Sequence, residues 1–214
     1  MKNLPGSIYY LLRETAEELK IDYILVDLNP SLSALNQDFI ISSDYFIIPL
    51  STDYFSLMAI ESIDRVLPQW EHWAKNARKV FNDSIYPLPK QTPKFLGYTN
   101  NDFTTNKNKP AKAYTEMFDK IKKTVTDELA PNLKVQDMLL SPDKYPNGYC
   151  LANTGYFQTL QARYQEFGVP VFALSNQQID NTGKLLQDLN NRQRVFDDEY
   201  SNFADKVLKI TSDE

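Results

Sequence analysis

The sequence is poor in the residues that build disulfide and zinc sites. Among its 214 residues there is one cysteine, Cys150, and one histidine, His72. A single cysteine excludes an intramolecular disulfide framework and is compatible with a reducing compartment. One cysteine and one histidine are also too few for a zinc site of the Cys/His kind. His72 falls in a predicted helix, so we interpret it as a packed or surface residue and not as a catalytic one.

Long apolar runs and an excess of positive charge are absent as well. No run of 18 apolar residues occurs, so no membrane span is predicted. Pro5-Gly6 and Arg13-Glu14 interrupt anything that resembles a signal peptide, and the predicted location is the cytoplasm. The net charge of −5 provides no global attraction to nucleic acid or to an anionic membrane.

The six glycines do not form a phosphate-binding loop. Gly183-Lys184 is the single Gly-Lys pair, but Leu185 follows where serine or threonine is required. Gln178 occupies the place of the first loop glycine, and no suitable strand precedes the pair. The Gly183-Lys184 pair is therefore not part of a phosphate-binding loop.

What the sequence does contain is an alternation of helical and strand patterns. Apolar periodicity and turn residues predict helices over 7–20, 33–42, 55–79, 111–129, 155–167 and 182–210. Short apolar runs predict strands over 24–26, 45–50, 94–99 and 169–174, and residues 132–153 are predicted to be irregular. The fold class is therefore α/β, with a mainly parallel sheet flanked by helices, and residues 1–214 are predicted to form a single domain.

Asp27 ends the first of these predicted strands. The apolar run of residues 24–26 stops at Asp27, and Asn29-Pro30-Ser31 then directs the chain out of the sheet. A carboxylate at the carboxyl end of a buried strand lies where open α/β sheets bind their ligands, and it could position Mg²⁺ in a nucleotide site. The alternative is an acid that merely ends a strand and caps the next turn.

Two blocks in this part of the chain resemble the ParA/MinD family of deviant Walker A ATPases. The first block, residues 22–32, has an apolar strand, an aspartate and Pro-Ser-Leu; the second, residues 43–57, has the next strand, its proline and an Asp-Tyr-Phe-Ser-Leu helix start. The resemblance implies a P-loop NTPase fold of the ParA-like type that binds ATP and Mg²⁺. It makes Asp27 the Mg²⁺ and water-site acid, and places Pro30 and Ser31 in a switch-like turn.

Further implications follow from the same resemblance. The segment over residues 94–97 is similar to the family strand that leads to an adenine-contacting asparagine, and Asn100 or Asn101 would fill that role here. Family members act in DNA segregation as dimers, with a ParB-like adaptor and non-specific DNA as partners. MinD-type relatives carry a membrane-targeting helix, but no membrane partner is expected here, because the polar face of the last predicted helix mixes acidic and basic residues.

The sequence departs from the family at its phosphate loop, which should lie well upstream of residue 22. Only 21 residues precede that position, and none of them form the loop. Phosphoryl transfer depends on positioning and charge, so this chain alone is expected to be inactive. We interpret it as the carboxyl-terminal part of a ParA-like ATPase domain, incomplete at its N-terminus. The alternative is an inactive ParA-derived scaffold that binds DNA or a partner protein.

A lysine-rich stretch is the candidate DNA-binding segment. Between residues 86 and 123 there are eight lysines against three acidic residues. Contacts of this kind would go to phosphates and be sensitive to salt. A solvated helix face and loop is the competing interpretation. The eight lysines are Lys90, Lys94, Lys107, Lys109, Lys112, Lys120, Lys122 and Lys123.

Overall fold

A computed structural model describes residues 5–29, 31–106 and 109–212. The helices are α1 (Ser7–Leu19), α2 (Ala34–Ser42), α3 (Tyr54–Val80), α4 (Lys112–Thr124), α5 (Ala130–Val135), α6 (Thr159–Phe167), α7 (Asn176–Ile179) and α8 (Gly183–Thr211). The strands are β1 (Tyr45–Ser51), β2 (Lys94–Phe103), β3 (Thr105–Asn106), β4 (Lys109–Pro110) and β5 (Cys150–Gly155). A π-helical turn, Val125–Leu129, joins α4 to α5.

The main sheet has three parallel strands in the order β1-β2-β5. β2 pairs with β5 in parallel. The backbone N–H of Lys94 donates to the carbonyl of Asp44 at 2.9 Å, and that of Thr52 donates to the carbonyl of Asn101 at 3.1 Å. The first bond joins the starts of the two strands, and the second joins their ends. β1 is therefore parallel to β2 as well. The predicted α/β class with a mainly parallel sheet is confirmed.

The chain divides into two compact units, the first formed by the described residues of 1–47, 58–96 and 124–143. One face of α3 carries its core, because small residues let α2 and the segment before β2 approach closely. This cluster consists of Ile41, Ala74, Ala77 and Leu88, with Trp70 and Phe81 packed against it. Pro68 lies inside α3, which nevertheless runs unbroken from Tyr54 to Val80.

A buried ion pair ties α3 to the proline-rich connection in this unit. Glu71 is fully buried, and Arg78 Nη1 donates to its Oε1 at 2.7 Å. Thr92 Oγ1 donates to the same carboxylate at 2.8 Å. Arg78 also donates to the carbonyl oxygens of Pro89 at 2.7 Å and Gln91 at 2.9 Å. The carboxylate is thereby satisfied inside the unit, as a buried charge requires.

The second unit comprises residues 48–57 and 97–123 and the described residues from 144 onward. Helices α6, α7 and α8 and the turn of residues 171–173 enclose its core. The core residues are Leu160, Val171, Leu174, Ile179, Leu189 and Phe196. Gln193 of α8 is buried in this region, and its Nε2 donates to the carbonyl oxygens of Val171 and Leu174, both at 2.9 Å.

Two strand assignments differ from the sequence prediction in this unit. Residues 169–174 form a 3-10 turn at Val171–Ala173 and not a strand; Pro170 lacks a ladder donor, and Gln193 binds two of the carbonyls. The strand β5 begins instead inside the segment predicted to be irregular, residues 132–153, and runs on to Gly155, the predicted start of a helix. Its buried positions are Leu151 and Gly155. Because polar residues stand between them, the sequence of β5 lacks the apolar run that usually predicts a strand.

The predicted strand at residues 24–26 is wrong, and this affects the functional argument most. Residues 23–29 have neither helical nor strand structure. Ile24, Leu25 and Val26 are 42%, 93% and 37% exposed. An apolar run becomes a strand only when a neighbour pairs its N–H and C=O groups, and tertiary pairing of that kind cannot be seen in local sequence.

Candidate functional site

The carboxyl ends of the parallel strands in the second unit bring polar side chains together. β1 ends in Ser51, followed by Thr52 and Asp53, and β2 carries Asn101 and Asp102 near its end. Open α/β sheets bind their ligands at this edge because no strand-to-strand packing fills it. We therefore take this edge as the candidate site.

Three hydrogen bonds fix the two strand ends relative to each other. Thr52 donates to the carbonyl of Asn101 from both its N–H, at 3.1 Å, and its Oγ1, at 3.0 Å. Ser51 Oγ donates to Asp102 Oδ2 at 3.4 Å. Asp102 has a φ of +61°, a conformation that costs free energy in a non-glycine residue and that surrounding contacts must maintain. The polar side chains at the ends of β1 and β2 are thus held in place by contacts within the protein.

The start of α3 at this edge is already capped. Asp53 Oδ1 accepts a hydrogen bond from the N–H of Ser56 at 2.9 Å. An aspartate three residues before the N–H that donates to it is the usual helix-capping pattern. Its negative charge occupies the position where a helix N-terminus would otherwise attract a phosphate, so this terminus does not supply the missing phosphate loop.

The two asparagines predicted near adenine are engaged within the sheet. Asn100 is 2% exposed, and its Nδ2 donates to Asn153 Oδ1 at 2.7 Å. Asn101 Nδ2 donates to Thr99 Oγ1 at 3.0 Å. The adenine contact therefore stays a prediction, and it would require Asn101 to exchange this partner for the base.

A partly buried polar cluster around Asn100 of β2 and Cys150 of β5 was not predicted from the sequence. The Nδ2 of Asn100 lies 3.7 Å from the Sγ of Cys150, and Lys206 Nζ donates to the carbonyl of Leu151 at 2.6 Å. Burial raises the pKa of the Cys150 thiol, and Lys206 only partly opposes this effect. Burial likewise raises the pKa of Tyr98 far above its ordinary value. Cys150 is therefore a neutral thiol and a poor nucleophile.

Asp27 lies in the first unit, on the irregular and exposed segment of residues 23–29. The segment is tethered after it, because Asn36 Nδ2 donates to the carbonyls of Asn29 at 2.7 Å and Ser31 at 2.6 Å. Ser31 Oγ also donates to the side chain of Asn29. Pro30 lies outside the described residues.

The described side chains do not assemble a Mg²⁺ site. Over the described ranges, no group of three or more His, Cys, Asp or Glu residues could hold a metal ion. Asp27 is exposed on a segment without regular structure, whereas a Mg²⁺ ligand needs a fixed carboxylate. In the described part of the chain, the carboxylate of Asp27 is therefore not held in place for a Mg²⁺–nucleotide complex, and we assign no catalytic step to these residues.

The candidate lysines are divided between the two units. Lys90 and Lys94 belong to the first, where Lys94 Nζ pairs with Asp137 Oδ1 at 3.1 Å and is already engaged. In the second unit, α4 carries exposed Lys112, Lys120, Lys122 and Lys123. Lys107, and the side chain of Lys109, lie outside the described part of the chain.

Lys120 of α4 contacts Tyr54. Its Nζ lies 3.3 Å from the Tyr54 hydroxyl and 5.2 Å from the centroid of the Tyr54 ring. Glu116 and Asp119 are also exposed on α4, among the four lysines. The α4 face is therefore only moderately basic.

The model of the AAA domain family matches residues 8–79. No curated protein and no solved structure was found to match the chain. The matched range contains both sequence blocks, residues 22–32 and 43–57, that resemble the ParA/MinD ATPases. The match, together with the three-stranded parallel sheet, is consistent with a fold of the P-loop NTPase type. In the described ranges, no helix has the length and apolarity needed to cross a bilayer.

Proposed function

We propose that this chain acts in DNA partition as a relative of ParA-type ATPases, together with a ParB-like adaptor and non-specific DNA. The family match over residues 8–79 carries the proposal, because it includes the segment around Asp27. Plasmid or chromosome segregation in the cytoplasm, with self-association into a dimer, belongs to the same proposal.

ATP and Mg²⁺ enter this proposal only with a phosphate loop. Asp27 would then contact the Mg²⁺ or its water, Pro30 and Ser31 would form the adjacent turn, and Asn100 or Asn101 would approach the adenine. The 214 residues contain no such loop. Without clustered backbone N–H groups and a lysine, triphosphate binding loses its main electrostatic support.

Isothermal titration calorimetry of this chain with ATP and Mg²⁺ tests the nucleotide part. We expect no saturable heat up to about 1 mM ATP, which corresponds to binding weaker than about −4 kcal/mol. Asp27→Ala is the control variant and should give the same trace. Tight, Mg²⁺-dependent binding that Asp27→Ala abolishes would contradict the expectation that this chain does not bind ATP without a phosphate loop.

The exposed face of α4 is the proposed DNA contact. Lys122 and Lys123 are both exposed near the end of α4, and Lys112 adds a third positive charge near its start. Contacts to phosphates release counterions, so the affinity should fall linearly with salt on a logarithmic plot.

Electrophoretic and fluorescence-anisotropy titrations with a random 30-bp duplex test this surface. Lys122→Glu/Lys123→Glu should weaken binding by about tenfold or more and reduce the slope of the salt plot by roughly two. The matched control is Lys184→Glu/Lys209→Glu, which makes the same charge change at two exposed positions of α8. Equal losses in both variants would show that only net charge matters.

A second candidate function is an inactive ParA-derived scaffold that binds DNA or a partner protein. The exposed, irregular segment that carries Asp27 favours it, because a nucleotide site needs that carboxylate held in place. Retention of DNA or adaptor binding by Asp27→Ala, with no nucleotide dependence in either protein, would support the scaffold. Nucleotide-dependent adaptor binding would exclude it.

A further inference from the structure

A shallow groove of about 330 Å³ lies on the first unit, between α1 and the turn that precedes β2. Its apolar walls are the rings of Tyr9, Tyr10 and Tyr86, with Pro87 beside them. Residues 9 and 10 come from α1, and residues 86 and 87 from the proline-rich connection. Three aromatic rings around one open groove provide electron-rich faces.

The start of α1 lies directly against the residues that form the other side of the groove. The N–H of Gly6 donates to the carbonyl of Tyr86 at 2.9 Å. A Cβ at Gly6 would lie 2.0 Å from the carbonyl oxygen of Pro87, so only glycine permits this approach. The rings of Tyr10 and Tyr86 pack against each other with centroids 4.9 Å apart and planes tilted by 48°.

The charges along the groove leave one carboxylate in excess. Arg13 Nε pairs with Glu17 Oε1 at 3.0 Å, and Arg13 Nη1 donates to the Tyr9 hydroxyl at 3.3 Å. Glu14 has no such counter-ion within the lining, and its charge raises the pKa of the neighbouring Tyr10 hydroxyl. The groove is therefore aromatic and net negative.

We propose that this groove binds an arginine or lysine side chain presented by an extended basic segment of a partner protein. The guanidinium or ammonium group would lie over the tyrosine rings beside Glu14, and the aliphatic stem would cover Pro87. Cations bind aromatic faces electrostatically, and the adjacent carboxylate adds direct attraction. The backbone contacts of Gly6 already join the two sides of the groove before binding, which reduces the ordering cost of association. This site makes no use of ATP or of the α4 lysines.

Fluorescence anisotropy with a fluorescein-labelled peptide, three repeats of Gly-Arg-Gly, tests the proposal on the full chain. Saturable binding is expected, with Glu14→Gln weakening it by about fivefold and Tyr10→Leu/Tyr86→Leu by about tenfold or more. The matched control is Glu18→Gln, the same charge change on the same helix outside the groove lining, and it should alter affinity less than about twofold. Thermal unfolding followed by circular dichroism verifies that each variant is folded.

Three outcomes would overturn the proposal. They are no binding of the peptide at about 1 mM protein, equal losses in Glu14→Gln and Glu18→Gln, and equal binding of a Gly-Glu-Gly repeat. Competition by tetramethylammonium chloride but not by the unlabelled arginine peptide would assign the groove to a small cation instead. That result would also refute the proposal that a basic segment of a partner protein binds there. If the tyrosine pair variant unfolds, the Glu14→Gln and Glu18→Gln comparison decides the matter.

Discussion

Glu71 and Arg78 should dominate the stability of the first unit. Glu71 is 0% exposed and the Arg78 side chain 12%, so each charge depends on the other. Glu71→Ala removes the carboxylate and leaves the guanidinium buried without its anion. It also leaves the hydroxyl of Thr92 without its 2.8 Å acceptor.

The expected loss for Glu71→Ala is about 3–5 kcal/mol, the usual cost of breaking a buried pair from one side. The double variant Glu71→Leu/Arg78→Met removes both charges and fills the volume, so the pair itself should cost little. It still loses the two bonds from Arg78 to backbone carbonyls of the proline-rich connection. We therefore expect the double variant to lose only about 1–3 kcal/mol.

Urea unfolding followed by tryptophan fluorescence is the appropriate assay. Both tryptophans of the chain, Trp70 and Trp73, flank Glu71 on α3 and report on this unit. Glu61→Ala, at an exposed position of the same helix, is the matched control and should change the free energy of unfolding by less than about 0.5 kcal/mol.

A double variant less stable than Glu71→Ala would refute this reasoning, because it would show that the ion pair is a net stabilising interaction relative to apolar residues. A loss in Glu71→Ala no larger than that in the Glu61 control would show that the carboxylate is hydrated and not truly buried.

Three further predictions concern the second unit. Gly97 has a φ of +144°, and a Cβ there would lie 2.3 Å from the carbonyl oxygen of Tyr149, so Gly97→Ala should cost roughly 2–4 kcal/mol in urea unfolding. Gln193→Leu should cost about 2 kcal/mol, because two carbonyl oxygens would lose their donor; Gln193→Glu, which cannot donate when ionised, should be no better. Burial raises the pKa of Glu199 from 4.5 to about 7, so the folded state holds its proton more tightly and stability should fall as pH rises from about 4.5 to 7. Glu199→Gln should flatten this pH profile, and an unchanged profile would contradict the assignment.

The candidate site was only partly predictable from the sequence. The aspartate and turn residues of the first block are recognisable locally, and so are the strand β1 and the helix start at Asp53. The pairing of Asn100 with Asn153, and the approach of Cys150, depend on residues about fifty positions apart. No local pattern encodes such a contact, because it arises only when β2 and β5 pair.

The sequence by itself determined the α/β class and predicted α1, α2, α3, α4, α6 and α8, because apolar periodicity, proline and glycine act within a few residues of the chain; it did not predict α5 or α7. It also determined that these 214 residues carry no phosphate loop. Tertiary structure alone decided that residues 24–26 do not join the sheet and that residues 150–155 do. The physical reason is that a strand is completed by hydrogen bonds to another strand, whereas a helix satisfies its own backbone.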